Sequence, residues 1–184
     1  KLCPHFHLSL QSGCDGTLAR MNRRYTTGEY MKCCEILRKY FVHPAITTDV
    51  IVGFPGETEE EFARTVAFVK EIGFYEMHIF KYSRRQGTRA DRMENQVPEP
   101  VKTKRSGVLL ALAEQMSGEF REYYRGREVC ALLEERQEIA GKCMYVGYTP
   151  EYVRVACASE EALENTVVKG RLSRPLDAEV YELV

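Results

Sequence analysis

Residues 5–11, HFHLSLQ, alternate in character, with Phe6, Leu8 and Leu10 on one side and His7, Ser9 and Gln11 on the other. A period of two predicts a strand with one apolar and one polar face. From Thr27 the apolar spacing becomes helical, through Tyr30, Ile36, Leu37 and Tyr40, and Thr26 with Glu29 has the spacing of a capping box. Val50, Ile51 and Val52 then read as a second strand, apolar on both faces as in parallel sheets. Gly53, Pro55 and Gly56 break it, and Thr58 with Glu61 opens a helix whose apolar face is Phe62, Val66, Val69 and Ile72. A third unit repeats the theme, with a strand from about Tyr75 to Tyr82 and the polar loop RRQGTRADRMENQ. A long helix follows Pro98 and Pro100, with a stripe of Val101, Val108, Leu112, Met116, Phe120 and Tyr123. Three successive strand–helix units predict an α/β arrangement of parallel strands joined by right-handed crossovers.

The pattern changes at Gly126. Five short segments, EVCALLEE, KCMYVGY, YVRVACA, NTVVKGRL and AEVYELV, follow at close spacing with glycine, proline and acidic turns between them. Short strands without a long helix predict a small OB-like barrel. The domains are therefore expected at residues 1–124 and 125–184.

Charge sharpens this division. The formal net charge is −1, yet residues 125–184 carry eight Lys or Arg against eleven Asp or Glu. No block of like charge forms a phosphate-binding stripe. The apolar runs fall far short of a membrane span, and no signal-peptide pattern opens the chain, so a cytoplasmic protein is expected. The seven cysteines contain no Cys-x-x-Cys pair, and reduced thiols are the expectation. Lys1 in the place of an initiator methionine suggests a fragment.

In a parallel α/β unit, ligands gather at the carboxyl ends of the strands. The break after Val52 carries the chain over one such end, and its glycines allow bare backbone to approach a ligand. The acids from Glu57 onward fill the following helix N-terminus, so it is read as a stability device and not a phosphate site. A period of two places His7, Ser9 and Gln11, Asp49 and Ile51, and His78, Phe80 and Tyr82 on a shared interior face. Amide, hydroxyl, carboxylate and imidazole groups are costly to bury unpartnered, so the set reads as a site for a polar small molecule. Mutual satisfaction of these groups is the competing reading. Three strands cannot close a barrel, so other strands of such a lumen are expected in sequence beyond these residues.

The stretches HFHLSLQSGCDGTLARMNRRYTTGEY, TTDVIVGFPGETEEEF and MHIFKYSRRQGTRA resemble the second half of the radical S-adenosylmethionine core of the methylthiotransferases. The segment from Gly126, with YVGYTPEYVRV, is similar to their C-terminal RNA-binding TRAM domain. HFHLSLQSG and MHIFKYSRRQGT look most like the subfamily acting on threonylcarbamoyladenosine in tRNA. The resemblance implies the C-terminal part of an incomplete TIM-like barrel of three βα units, followed by the small barrel. It also implies a parent enzyme that adds a methylthio group to C2 of the adenosine beside the anticodon, using S-adenosylmethionine and 4Fe-4S clusters.

Carried onto this chain, the resemblance puts Ser9, Gln11 and Ser12 near the methionine and ribose of the cofactor, and Arg23, within Met21-x-Arg23-x-Tyr25, against the methionine carboxylate. Backbone at Ile51, Val52 and Gly53 would flank the adenine, with Asp49 facing the lumen and Tyr82 at the end of the sixth barrel strand. His7, His78 and Arg85 become substrate contacts. On the small barrel, Arg127, Lys142, Tyr148, Arg154 and Lys169 are the RNA-binding candidates. The partners implied are tRNA and the missing N-terminal part of the enzyme, with no membrane. The family's Cys-x-x-x-Cys-x-x-Cys loop is absent from these residues. Thiolates are required to hold such a cluster, so the isolated chain is expected to be inert. The competing readings are a sibling enzyme acting on isopentenyl-adenosine or a ribosomal-protein aspartate, a non-catalytic RNA-binding module, and an unrelated barrel enzyme using Asp49 with His78.

Overall fold

The structure, a computed structural model, describes residues 2–139 and 141–184. It divides into two compact units, Phe6–Ser117 and Gly118–Val184, the latter joined by the segment up to His5.

The first unit holds a three-stranded sheet of order β1 (His5–His7), β2 (Ala45–Val52) and β3 (Glu76–Lys81). β2 and β3 run parallel, pairing Asp49 with His78 and Ile51 with Phe80. The helices are α1 (Asp15–Arg20), α2 (Thr27–Tyr40), α3 (Glu59–Ile72) and α4 (Glu99–Tyr124). The order β1-α1-α2-β2-α3-β3-α4 gives the strand–helix alternation expected of parallel sheets. Leu10, Val50, Val52 and Met77 pack with Tyr30, Phe62, Val69, Ile72, Leu109, Leu112 and Met116 in one core on the helical side of the sheet.

Both anticipated capping boxes are present. Thr26 accepts from the Glu29 N–H and Thr58 from the Glu61 N–H, each glutamate returning to the N-cap N–H. Each box stabilises its helix start by about 1 kcal/mol.

Three expectations about the elements require correction, and one helix, α1, was not anticipated. The first strand ends at His7, with a single further bridge from Gln11 to Val50. The Thr48 hydroxyl explains the gap: it donates to the Leu8 carbonyl at 2.6 Å and accepts from the Leu10 N–H at 2.9 Å, replacing ladder bonds. β2 is not covered on both faces, because Asp49 and Ile51 remain partly exposed while Val50 and Val52 are buried. The short helix α1 lacked an apolar periodicity, and Thr17 and Leu18 anchor it by burial. The buried stripe of α4 runs through Lys102, Arg105, Leu109, Leu112 and Met116, which leaves Val108 exposed. Two charged residues on the inward face concealed this phase.

The second unit is a closed barrel of order β4-β5-β6-β8-β7, formed by β4 (Glu128–Ile139), β5 (Lys142–Tyr148), β6 (Arg154–Cys157), β7 (Thr166–Pro175) and β8 (Tyr181–Leu183). Five strands closing an all-β barrel match the OB-like expectation. β4 is longer than predicted and accommodates its length with an irregularity between Leu133 and Glu135. Gly147 is required there, since a Cβ would lie 1.9 Å from the Leu132 carbonyl oxygen.

Among the described residues no helix is long and apolar enough to cross a membrane. All seven cysteines are free thiols.

Candidate functional site

The polar edge of the parallel sheet converges on one carboxylate. Asp49 Oδ2 lies 3.1 Å from His7 Nε2 and accepts from Ser9 Oγ at 2.9 Å, while Oδ1 lies 3.2 Å from His78 Nδ1. The strands impose this meeting: His7 and Ser9 are two residues apart and share a face, and Asp49 is paired in register with His78. The two imidazoles lie face to face with centroids 5.8 Å apart. Thr47 Oγ1 holds the far nitrogen of His7, Nδ1, at 2.9 Å. Partial burial pushes the Asp49 carboxyl up, but hydrogen bonds from Ser9, His7 and His78 outweigh it and leave the carboxyl below its usual range.

Beyond this cluster the face continues to Ile51 and Phe80, which are paired across β2 and β3. Phe80 is exposed, so the face is open. Gln11, bridged to Val50 beside Ile51, has φ of 69°, a left-handed conformation that residues other than Gly or Asn seldom adopt. Such local strain concentrates at binding and catalytic sites. Gln11 is held by its N–H to the Asp49 carbonyl at 2.8 Å and by the Ile51 N–H to its own carbonyl at 2.9 Å.

At the end of β3, Tyr82 packs edge-on against Phe54, with centroids 5.2 Å apart. Its hydroxyl is enclosed and finds no hydrogen-bond partner among the described residues. Burial, aided by Asp91, pushes this phenol above its ordinary range. An enclosed hydroxyl without a partner is an opening for a polar ligand group.

Not every candidate joins the cluster. Ser12 is fully buried with its hydroxyl 3.3 Å from Thr65 Oγ1 of α3, away from the polar face. Val52 belongs to the core. The Gly53 N–H is already engaged by Glu57 Oε2 at 2.6 Å, and a Cβ at position 53 would fall 2.2 Å from Lys102 Cγ. Arg23 and Arg85 are exposed, in the segment after α1 and the loop after β3 respectively.

Sequence reasoning missed Arg105. Its guanidinium donates to the Glu57 carboxylate at 2.8 Å and to the Glu57 carbonyl at 3.1 Å, so a buried ion pair fixes the turn that passes over the end of β2. Burial pushes the Glu57 carboxyl up, against the Gly53 N–H and Arg105, which favour its charged form. The available signal was the spacing of Lys102 and Arg105 ahead of Leu109 and Leu112, which continues one helical stripe into charged residues.

On the barrel, Tyr148 and Arg154 are paired across β5 and β6, and Tyr148 stacks on Tyr152 at 4.4 Å. Arg154 donates to the Gln137 side chain at 2.7 Å. Lys142 starts β5 at the end remote from Tyr148. Lys169 forms an ion pair with Glu128 at 3.1 Å, and the Arg127 guanidinium lies 4.1 Å over the Tyr123 ring. The structure thus brings Tyr148 and Arg154 together and leaves Lys142 apart from them.

Comparison with known proteins places this geometry in context. Residues 1–69 match the model of the radical SAM superfamily. The threonylcarbamoyladenosine tRNA methylthiotransferase MtaB of Bacillus subtilis is 42% identical over 94% of this chain and 38% of its own length. The chain is homologous to a part of the radical SAM methylthiotransferases. The corresponding enzyme of Thermotoga maritima is 42% identical over 84% of the chain and 35% of its own length. The tRNA-2-methylthio-N(6)-dimethylallyladenosine synthase of Syntrophus aciditrophicus is 45% identical over 73% of the chain and 29% of its own length. The chain therefore spans well under half the length of these curated relatives. Among solved structures, coproporphyrinogen III oxidase from Escherichia coli, a radical SAM enzyme, superposes with a TM-score of 0.51 over 62% of this chain and 27% of its own, at 20% identity. That likeness supports the TIM-like α/β fold of the first unit.

The family implies S-adenosylmethionine and an iron–sulfur cluster. The polar face offers donor and acceptor groups suited to the first: the Asp49 carboxylate and the Ser9 hydroxyl, with the strained Gln11 bonded to the backbone of Asp49 and Ile51 beside them, and, at the end of β3, the enclosed Tyr82 hydroxyl. The cluster does not fit this chain by itself. Among the described residues no three cysteines converge, and the one grouping of three candidate donor side chains is His7, Asp49 and His78.

Proposed function

We propose that this chain is part of a tRNA-modifying methylthiotransferase that acts on threonylcarbamoyladenosine beside the anticodon. The observation that carries the reading is the convergence of His7, Ser9 and His78 on Asp49, on the open face of a parallel sheet whose sequence is homologous to those enzymes. Over the same 94% of the chain, identity is 42% to the threonylcarbamoyladenosine enzyme of Bacillus subtilis and 36% to a dimethylallyladenosine synthase of Lachnoclostridium phytofermentans, which favours the first substrate.

In this reading Gln11, Asp49 and Tyr82 hold the polar parts of S-adenosylmethionine, which supplies the radical precursor and the methyl group when bound. Ile51 and Phe80 offer apolar surface for a base, and His7 and His78 face the substrate. Arg23 and Arg85, both exposed, are the cations available to a carboxylate or phosphate. Gly53 contributes the close approach of the chain and not a free donor, because its N–H is already bonded. The barrel binds tRNA through Tyr148 and Arg154, with Arg127, Lys142 and Lys169 as further phosphate contacts, and the parent protein works in the cytoplasm. The cluster ligands come from elsewhere in the parent, and the isolated chain does not cleave S-adenosylmethionine.

The test is to express the whole parent gene, cluster-binding part included, in a host lacking methylthiotransferases and to analyse its tRNA nucleosides by mass spectrometry. Methylthio-threonylcarbamoyladenosine is the expected product. Methylthiolation of dimethylallyladenosine instead, or unmodified tRNA, would sink the assignment. For the isolated chain, 5′-deoxyadenosine formed after iron–sulfur reconstitution would show that the inertness is wrong.

A further inference from the structure

We propose that His7, Asp49 and His78 form a binding site for one divalent first-row transition ion of the zinc class. The inference stands on the geometry of these three residues and does not rest on the tRNA-modifying reading.

The candidate ligand atoms of the three side chains lie within 4.8 Å of one another. More informative are the individual separations of 3.1 Å from His7 Nε2 to Asp49 Oδ2 and 3.2 Å from His78 Nδ1 to Asp49 Oδ1. Two donors on adjacent positions of an ion with bonds of about 2.1 Å stand roughly 3.0–3.4 Å apart. Each carboxylate oxygen is therefore already spaced from one imidazole as neighbouring ligands would be, so an ion between the two imidazoles would take Asp49 through both of its oxygens. All three side chains project from adjacent strands, and Asp49 and His78 are in direct register, so little backbone adjustment is needed.

A second observation points the same way. Metal-binding histidines use their other ring nitrogen in a hydrogen bond that sets the tautomer, and metal-binding carboxylates are themselves hydrogen-bonded. Both supports are built. His7 Nδ1 lies 2.9 Å from Thr47 Oγ1, so it can donate there while Nε2 turns its lone pair to an ion, and Ser9 Oγ donates to Asp49 Oδ2 at 2.9 Å. Without an ion the same contacts persist as hydrogen bonds with His7 protonated on Nε2, which makes the site stable in both conditions.

Two imidazoles and a carboxylate select zinc, cobalt, nickel or ferrous ions over magnesium and calcium, which prefer oxygen ligands alone. Three protein ligands also leave a coordination position open on the exposed side, suited to an oxygen-donor ligand such as water or a substrate carboxylate.

The test is titration of the 184-residue chain with Co2+, after its exposed thiols, at Cys3, Cys33, Cys130 and Cys143, have been alkylated to remove competing ligands. Expected is one bound Co2+ with visible ligand-field bands, no sulfur-to-metal charge-transfer band, and displacement by Zn2+. Asp49→Asn and His78→Gln each weaken binding by at least about tenfold, and Ser9→Ala by about tenfold through the orientation of Asp49. The His78 side chain is 59% exposed, so His78→Gln keeps the fold, which circular dichroism of the metal-free protein verifies. Absence of cobalt uptake by the alkylated chain at micromolar concentrations would overturn the proposal. So would uptake that is unchanged in Asp49→Asn and His78→Gln, or that reports sulfur ligation.

Discussion

Glu57 and Arg105, 48 positions apart, form a buried ion pair at 2.8 Å that ties the turn after β2 to α4. Removing the cation alone strands a buried carboxylate. Arg105→Met is expected to destabilise the chain by about 3–5 kcal/mol, whereas the double variant Arg105→Met with Glu57→Gln should recover a large part of the loss. Urea denaturation of both proteins checks this. Equal stability of the single and double variants would show that the pair is not coupled.

The Thr48 hydroxyl serves both the Leu8 carbonyl and the Leu10 N–H where the ladder of β1 is interrupted. Thr48→Val keeps the shape and deletes both bonds, leaving the Leu10 N–H buried. A loss of about 1–3 kcal/mol is expected, with faster amide exchange at Leu10 than elsewhere in the sheet.

Gly53 has φ of 72°, and Lys102 occupies the space a side chain would need. Gly53→Ala therefore meets both a left-handed backbone penalty and a clash with the Lys102 stem. The expected cost is about 1–3 kcal/mol by thermal denaturation. Shortening the stem with Lys102→Ala in the same protein should relieve the clash and not the backbone term.

Partial burial raises the Glu61 carboxyl, and hydrogen bonds from Arg20 and the Thr58 N–H outweigh that effect, so it sits below its ordinary range. A carboxyl held lower in the folded chain than in the unfolded one binds fewer protons when folded. It contributes stability above its unfolded value, and that contribution is lost as pH falls below about 4.3 towards the folded value. Glu61→Gln preserves the capping geometry but not the charge. It should be less stable than the parent by about 1–2 kcal/mol at neutral pH, with the difference vanishing in acid. A difference independent of pH would refute the assignment.

If the barrel binds tRNA as proposed, affinity must fall steeply with salt, because each neutralised phosphate releases a counterion. Arg154→Ala should lower the salt slope by about one, while Tyr148→Ala should weaken binding by about 1–3 kcal/mol with the slope unchanged. Filter binding across a salt series distinguishes the two. A Tyr148→Ala variant of unaltered affinity would remove the stacking role.

These outcomes reflect how much the sequence could convey. Alternation of His7, Ser9 and Asp49 with apolar neighbours was legible because a strand has one dominant period, and both capping boxes were legible because they lie within four residues. The same period counted Gln11 onto the polar face, but its positive φ was invisible, since it arises from contacts to Asp49 and Ile51 some 40 positions away. The inward turn of Ser12 towards Thr65 was illegible for a related reason: once the strand ends, alternation no longer governs which way a hydroxyl turns. The inward face of α4 was misphased because a buried arginine reads as a surface residue until its carboxylate partner is known.

The two sheets differ in one topological respect with a practical consequence. The five-stranded barrel is closed and has no edge strand among the described residues, whereas β1 and β3 are the outer strands of an open sheet with Phe80 exposed on β3. Unpaired N–H and C=O groups next to apolar surface recruit further strands. Concentration-dependent self-association should therefore originate in the first unit, and a lysine in place of Phe80 is the change most suited to keeping the polypeptide dispersed.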